Sequence, residues 1–297
     1  MSPAAKKQTK SKTPAQLTTR ERQRLAEKNK KRRIRRKRFV IFSFSFVVIA
    51  LVTGVVYGFF TVFKITNYIV TGSKTYSAVQ VYKSSGLKLG KNLFLVKIGS
   101  AEVQLKSKLP YIGNVQIRRE LPGTLKYVIT ETNAAAVLEY ENGFLLLNSD
   151  GKILEQKAGK STETLPLLKC PEPGNIEVGR TIEFTAADTG QTSSDILAIY
   201  KDLLAAIKAS KINEITVINM SEPTDVRLFY QNRLTLHIGT PTNLESKLAL
   251  AADVINKENI NYPNEKGEID LTILKRADFL PTTKPEPATS AELTTGG

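Results

Sequence analysis

Residues 98–129, IGSAEVQLKSKLPYIGNVQIRRELPGTLKYVI, carry a helix, a stop signal and a hairpin in one unbroken run. Ile98, Ala101, Leu105 and Leu109 step by three, four and four, which places them on one helical face. Pro110 ends that helix, because it lacks the N–H and its ring blocks the preceding turn. Beyond it Val115, Ile117 and Arg119 alternate along one strand, and Leu125, Tyr127 and Ile129 along the next. Leu121-Pro122-Gly123-Thr124 between them reads as a tight turn, with Pro setting φ and Gly taking a positive φ.

Upstream, Tyr68-Ile69-Val70-Thr71 is a short β-prone run closed by Gly72-Ser73. Ser77, with Gln80 three positions on, marks a helix start, and Gly86 marks its end. A turn through residues 87–92 then leads to the apolar Leu93-Phe94-Leu95-Val96. The order across residues 64–132 is β-α-α-β-β, which predicts a small sheet with two helices on one face.

Residues 39–63 (FVIFSFSFVVIALVTGVVYGFFTVF) are 25 uncharged positions, 17 of them Ile, Leu, Val or Phe. As a helix this segment is about 37 Å long, enough to cross a hydrocarbon core of about 30 Å with some tilt. The apolar residues favour insertion by roughly 7 kcal/mol. A core helix is seldom this long. A cleaved signal peptide has a shorter apolar core and small residues at its exit, where this chain has Val62-Phe63-Lys64-Ile65. The segment therefore predicts a retained membrane anchor.

Net charge is +15, with sixteen basic side chains against Glu21 and Glu27 in residues 1–38 and a balance near zero in the rest. The densest run, residues 28–38 (KNKKRRIRRKR), abuts the anchor. Lys and Arg near a span stay cytoplasmic, so the tail is placed inside and some 234 residues outside. The tail, residues 1–38, is expected to be largely disordered, with a short helix near Thr18 and Glu21 at capping-box spacing. It has the composition of a nucleic-acid patch but no interleaved aromatic residue for base stacking. Topology and attraction to anionic inner-leaflet lipid account for it, and no nucleic-acid partner is expected.

Downstream, Ala134 to Tyr140 and residues 143–147 and 153–155 read as strands. Glu141-Asn142-Gly143 and Asn148-Ser149-Asp150-Gly151 form the turns between them. A Pro/Gly-rich passage follows (Pro166, Pro171, Pro173, Gly174). Residues 195–209 predict a helix with Ile196, Tyr200, Leu203 and Ile207 on one face. Strands return at residues 215–219, 225–230 and 234–238. A last helix, capped by Thr242 with Glu245, turns Leu244, Leu248, Ala251 and Ile255 inward. The final strand is residues 268–273, and residues 281–297, with Pro281, Pro285 and Pro287, are expected to be disordered.

Catalytic chemistry finds little support. One cysteine, Cys170, excludes an intramolecular disulfide and thiolate-rich metal sites, and one histidine, His237, excludes paired-imidazole zinc motifs. Gly159-Lys160-Ser161 has the end of a phosphate-binding loop, but Leu154 stands where its first glycine is needed. Cys170 and His237 could form a thiol–imidazole pair, yet His237 sits in the alternating run 234–238 as an ordinary strand residue. Asp150 and Asp270 sit beside turns with no second carboxylate at a useful spacing. No catalytic residue, metal, cofactor or small-molecule substrate is expected.

Ile69-Val70-Thr71-Gly72-Ser73, the run Gly86 through Phe94 (GLKLGKNLF), Leu109-Pro110-Tyr111-Ile112 and Arg118-Arg119-Glu120-Leu121-Pro122 resemble a POTRA domain of the FtsQ/DivIB type. Residues 144–151 (FLLLNSDG), Leu165-Pro166-Leu167-Leu168, Leu236-His237-Ile238-Gly239, Lys247-Leu248 and Gly267-Glu268-Ile269-Asp270-Leu271 resemble the β domain of the same family. Thr132 after Glu131, and Thr272-Ile273 after Leu271, depart from its pattern. The resemblance implies an α+β, non-enzymatic cell-division protein of the plasma membrane and septum. It would have a tail (1–38), one membrane helix (39–63), a POTRA domain (64–132), a mixed, mainly antiparallel β domain with two helices (133–280) and a C-terminal tail (281–297). It also implies partners of the FtsL and FtsB/DivIC kind. An exposed sheet edge can receive such a partner by strand addition, and Ile269, Asp270, Leu271, Thr272 and Ile273 are the candidate docking strand. The rival readings are a membrane-tethered cell-wall enzyme and a POTRA transport component. The first lacks a cluster of polar groups, and the second lacks tandem POTRA repeats or barrel strands.

Overall fold

The structure is a computed structural model, and it describes residues 19–141, 143–162, 164–185, 190–261, 263–273 and 275–281. The chain divides into two compact units, residues 1–64 and residues 65–297. Among its described residues the first holds one helix, α1 (Thr19–Val62), whose segment Arg32–Val62 is long and apolar enough to cross a membrane. Helix formation starts well before the apolar stretch, so residues 19–38 are not the disordered tail that composition suggested. Arg, Lys, Glu, Gln, Leu and Ala are good helix formers, and no Gly or Pro falls between Thr19 and Thr53 to stop propagation. Residues 1–18, and Thr18 of the expected capping box with them, lie outside the described residues.

The second unit opens with β1 (Asn67–Thr71), α2 (Ala78–Ser84), α3 (Ile98–Lys108), β2 (Ile112–Glu120) and β3 (Thr124–Glu131). These strands form a sheet ordered β1-β3-β2, with β1 parallel to β3 and β2 antiparallel to it. The β-α-α-β-β reading matches these elements. Ser77 caps α2 by accepting the Gln80 N–H, and Gly86 (φ +71°) follows the helix in the left-handed region. Ala101, Leu105 and Leu109 are buried, as are Leu125, Tyr127 and Ile129 of β3. The turn after β2 holds a cis Leu121–Pro122 peptide, and the Gly123 carbonyl accepts the N–H groups of Thr66 and Asn67.

The remaining elements are β4 (Ala134–Tyr140), β5 (Gly143–Asn148), β6 (Ile153–Ala158), β7 (Leu167–Lys169), α4 (Ser193–Ser210), β8 (Ile215–Asn219), β9 (Val226–Tyr230), β10 (Leu234–Gly239), α5 (Leu244–Asn261), β11 (Gly267–Asp270) and β12 (Asp278–Pro281). They build a sheet ordered β12-β11-β10-β9-β8-β7-β4-β5-β6. It is mixed and mainly antiparallel, with parallel pairs at β4/β7, β7/β8 and β10/β11. Ile196, Tyr200 and Leu203 of α4, and Leu244, Leu248, Ala251 and Ile255 of α5, bury into a core shared with the strand residues Leu228, Leu236 and Ile269. Each fully buried aliphatic side chain there contributes roughly 1.5–3 kcal/mol. On the far side of β4–β6 a second cluster, Val137, Phe144, Leu146 and Leu154, is covered by Tyr111 and Leu165.

Three details depart from the sequence reading. Thr192, with Asp195, forms the capping box of α4, so this helix begins two residues early. Helix α5 begins at Leu244, after Asn243 (φ +54°) whose carbonyl accepts the Lys247 N–H; Thr242 therefore lies one position outside the cap. Two short strands, β7 and β12, were not foreseen, and Pro281 belongs to β12 rather than to a disordered tail. Pro285 and Pro287 lie outside the described residues.

Candidate partner-docking edge

Strand addition needs backbone N–H and C=O groups that no neighbour has taken. Strand β11 does not offer them. It pairs with β10 along Leu234–Gly267 to His237–Asp270, and with β12 along Gly267–Pro281 to Asp270–Asp278. Ile269 and Leu271 are fully buried, and the Leu271 N–H donates to the His237 carbonyl at 2.9 Å. The expected strand also stops early. The Asp270 carboxylate accepts the Thr272 N–H at 2.8 Å and the Thr272 hydroxyl at 2.7 Å, which turns the backbone out of the ladder. Those same two bonds hold the Asp270 carboxyl below the usual aspartate range. Of the five candidate residues only Ile273 exposes a large apolar side chain, at 55%. As an open edge, residues 268–273 are therefore misplaced: hydrophobic alternation marks a strand but not its neighbours.

Among the described residues the open margin on this side is β12, on which no further strand pairs. Phe279 packs on the core, whereas Leu280 is 54% exposed and Pro281 ends the ladder. The opposite margin, β6, differs in kind. Glu155 there is engaged by Lys157 at 2.7 Å and by the Tyr111 hydroxyl at 2.5 Å, and edge lysines discourage pairing.

Behind β12 the solvent face of β9–β11 carries a charged network. His237 Nε2 lies 2.6 Å from Asp225 Oδ1, and Nδ1 lies 3.1 Å from Glu268 Oε1. A neutral imidazole can donate to only one of these carboxylates. Arg227 pairs with Asp225 at 2.9 Å, and Arg276 with Asp278 of β12 at 2.6 Å. Burial pushes the Asp225 carboxyl up, but His237 and Arg227 outweigh it and hold the group below its ordinary value. Lys247 is buried at the end of β10, where its ammonium donates to the carbonyls of Ile238 at 2.7 Å and Thr240 at 3.0 Å. Desolvation lowers its pKa.

Neither Asp225 nor Glu268 stood out in the sequence, since the spacing 225, 237, 268 becomes a cluster only through the β9-β10-β11 order. His237 is the strand residue it was read as. Cys170 follows β7, and two strands separate β7 from β10, so about 14 Å of sheet lies between the two strands that carry Cys170 and His237. Burial pushes the Cys170 thiol up to about 12. Among the described residues no group of three or more His, Cys, Asp or Glu side chains is placed to hold a metal ion.

Residues 63–132 match the sequence model described as POTRA domain, FtsQ-type, and residues 136–272 match that described as Cell division protein FtsQ/DivIB, C-terminal. Relatives include the cell division protein FtsQ of Corynebacterium glutamicum, 26% identical over 73% of this chain and 92% of its own length. The cell division protein DivIB of Clostridium acetobutylicum is 26% identical over 71% of this chain and 80% of its length. That of Clostridium botulinum (strain Hall) is 25% identical over 82% of this chain and 91% of its length.

Proposed function

The chain belongs to the FtsQ/DivIB family, and from that premise we propose that it is a non-enzymatic, single-pass protein of the bacterial divisome. In this reading α1 crosses the plasma membrane with the basic tail inside, and the residues beyond Lys64 work outside at the septum. There the β domain binds FtsL and FtsB/DivIC-type partners and so regulates cell-wall synthesis.

The observation that carries the binding mode is the open β12 margin with its exposed Leu280. A partner strand laid along β12 continues the sheet, and side chains beside Asp278 and Arg276 meet opposite charges. Lysine at Leu280 tests the edge directly, because that side chain is exposed and a charge on an edge strand discourages strand addition. Co-purification of the full-length chain with a DivIC-type partner should fall at least tenfold, with the protein still folded by circular dichroism. Unchanged capture would remove β12 as the docking strand. Proline at Leu271 is a poor test, because it breaks an internal bond and unfolds the sheet.

A fluorescent fusion tests the wider role. A mid-cell ring is the expected result; a uniform envelope signal would refute the divisome assignment.

A further inference from the structure

The lysine-rich segment at the membrane exit is unused by any partner-docking role. From Lys64 to Ala101 the sequence holds six lysines and no acidic residue. Three of them, Lys88, Lys91 and Lys97, are exposed and line a cleft of about 380 Å³ together with Ser100 and Gln104. Beside it Leu89 is 47% and Leu95 64% exposed.

These apolar side chains stand on a fixed backbone. Leu93 is fully buried between them, and Arg119 donates to the carbonyls of Leu93 at 2.8 Å and Val96 at 3.2 Å. The loop is also bound to the first residue of the unit, since Ile65 N–H donates to the Lys91 carbonyl and Gly90 N–H to the Ile65 carbonyl, both at 2.8 Å. Ile65 follows the last residue of α1, Val62, by three positions, and three residues span at most about 11 Å. Covalent continuity alone therefore keeps this loop at the lipid boundary when α1 crosses the membrane.

We propose that residues 87–97 are a lipid-binding knuckle for anionic phospholipid in the outer leaflet. The three lysines meet headgroup phosphates, and Leu89 and Leu95 enter the boundary between headgroups and acyl chains. Basic groups ringing exposed apolar side chains are the chemistry of an interfacial anchor. A protein partner would be met by mixed charge, whereas this surface offers one sign only. The inference rests on the reading that α1 spans the membrane.

The test uses the full-length chain with Cys170→Ala, reconstituted in nanodiscs of phosphatidylcholine with or without phosphatidylglycerol. Nitroxide labels at Leu95→Cys, Val103→Cys and Ser45→Cys report accessibility to oxygen and to a water-soluble nickel chelate. With phosphatidylglycerol, Leu95 should show at least a threefold higher oxygen-to-nickel ratio than Val103, which is 69% exposed on α3. Replacing Lys88, Lys91 and Lys97 together by Gln should bring the Leu95 ratio down to that of Val103. Water-like values at Leu95 with Ser45 in lipid would overturn the knuckle alone. Water-like values at Ser45 would overturn the membrane span and the knuckle with it. A lipid-like Leu95 indifferent to phosphatidylglycerol and to the lysines would overturn the assignment to anionic headgroups.

Discussion

Lys152 shows what a single buried charge does to the junction between the two sheets. Its ammonium donates to the Ile112 carbonyl at 2.9 Å, and burial with the nearby Lys106 lowers its pKa to about 8. Because the folded value lies below the unfolded one, the unfolded chain binds more protons between about pH 8 and about 10.5, and stability rises with pH there. Lys152→Met should abolish that rise, by about 1 kcal/mol after allowance for partial exposure, measured as urea midpoints at pH 8 and 10. Asp225 acts in the same direction at lower pH, because its pKa too is depressed in the folded chain. Its depressed carboxyl contributes stability above the ordinary aspartate value near 4, which is lost as the pH falls through the folded pKa. Asp225→Asn should cost about 1 kcal/mol at pH 7, and the gap between variant and parent should close in acid. A chain whose acid midpoint ignores the substitution would show that His237 and Arg227 find other partners.

Among the elements, β11 is the one whose character periodicity conveyed and whose place it did not. Ile269→Ala, in a fully buried position between two strands, should destabilise by about 2–5 kcal/mol. Leu280→Ala, on the open margin, should cost under about 0.5 kcal/mol. Denaturant titration of the pair separates a core strand from an edge. The helices α2, α3, α4 and α5 were readable from their apolar steps, as at Ile196, Tyr200 and Leu203, although the caps of α4 and α5 at Thr192 and Asn243 were not. β7 escaped notice because three residues carry no period, and it acquires its role only by lying parallel between β4 and β8. The charged network failed to show for the same reason: Asp225, His237 and Glu268 meet through strand order, which local sequence does not encode. Docking margins suffer most, since a residue's spare hydrogen bonds depend on what its neighbours leave unpaired.

At the scale of the molecule, the small sheet and the large one meet through backbone. Gly179 (φ +91°) donates to the Ile153 carbonyl, and a Cβ on it would sit 1.9 Å from the Ser107 carbonyl oxygen of α3. Gly179→Val should therefore push the two apart, and calorimetry should resolve two transitions where the parent shows one. Thr132 helps on the other flank by accepting the Asn148 side-chain N–H at 3.1 Å. The uninterrupted α1 has a consequence of another kind. A rod that continues straight out of a bilayer cannot also recline on it. Climbing 1.5 Å per residue, an upright helix escapes the roughly 8 Å reach of surface charge within about five residues. Where α1 crosses a bilayer, Arg33, Arg35, Arg36, Lys37 and Arg38 then remain in the leaflet's field, while the helical backbone from Thr19 to Arg32 carries on beyond it.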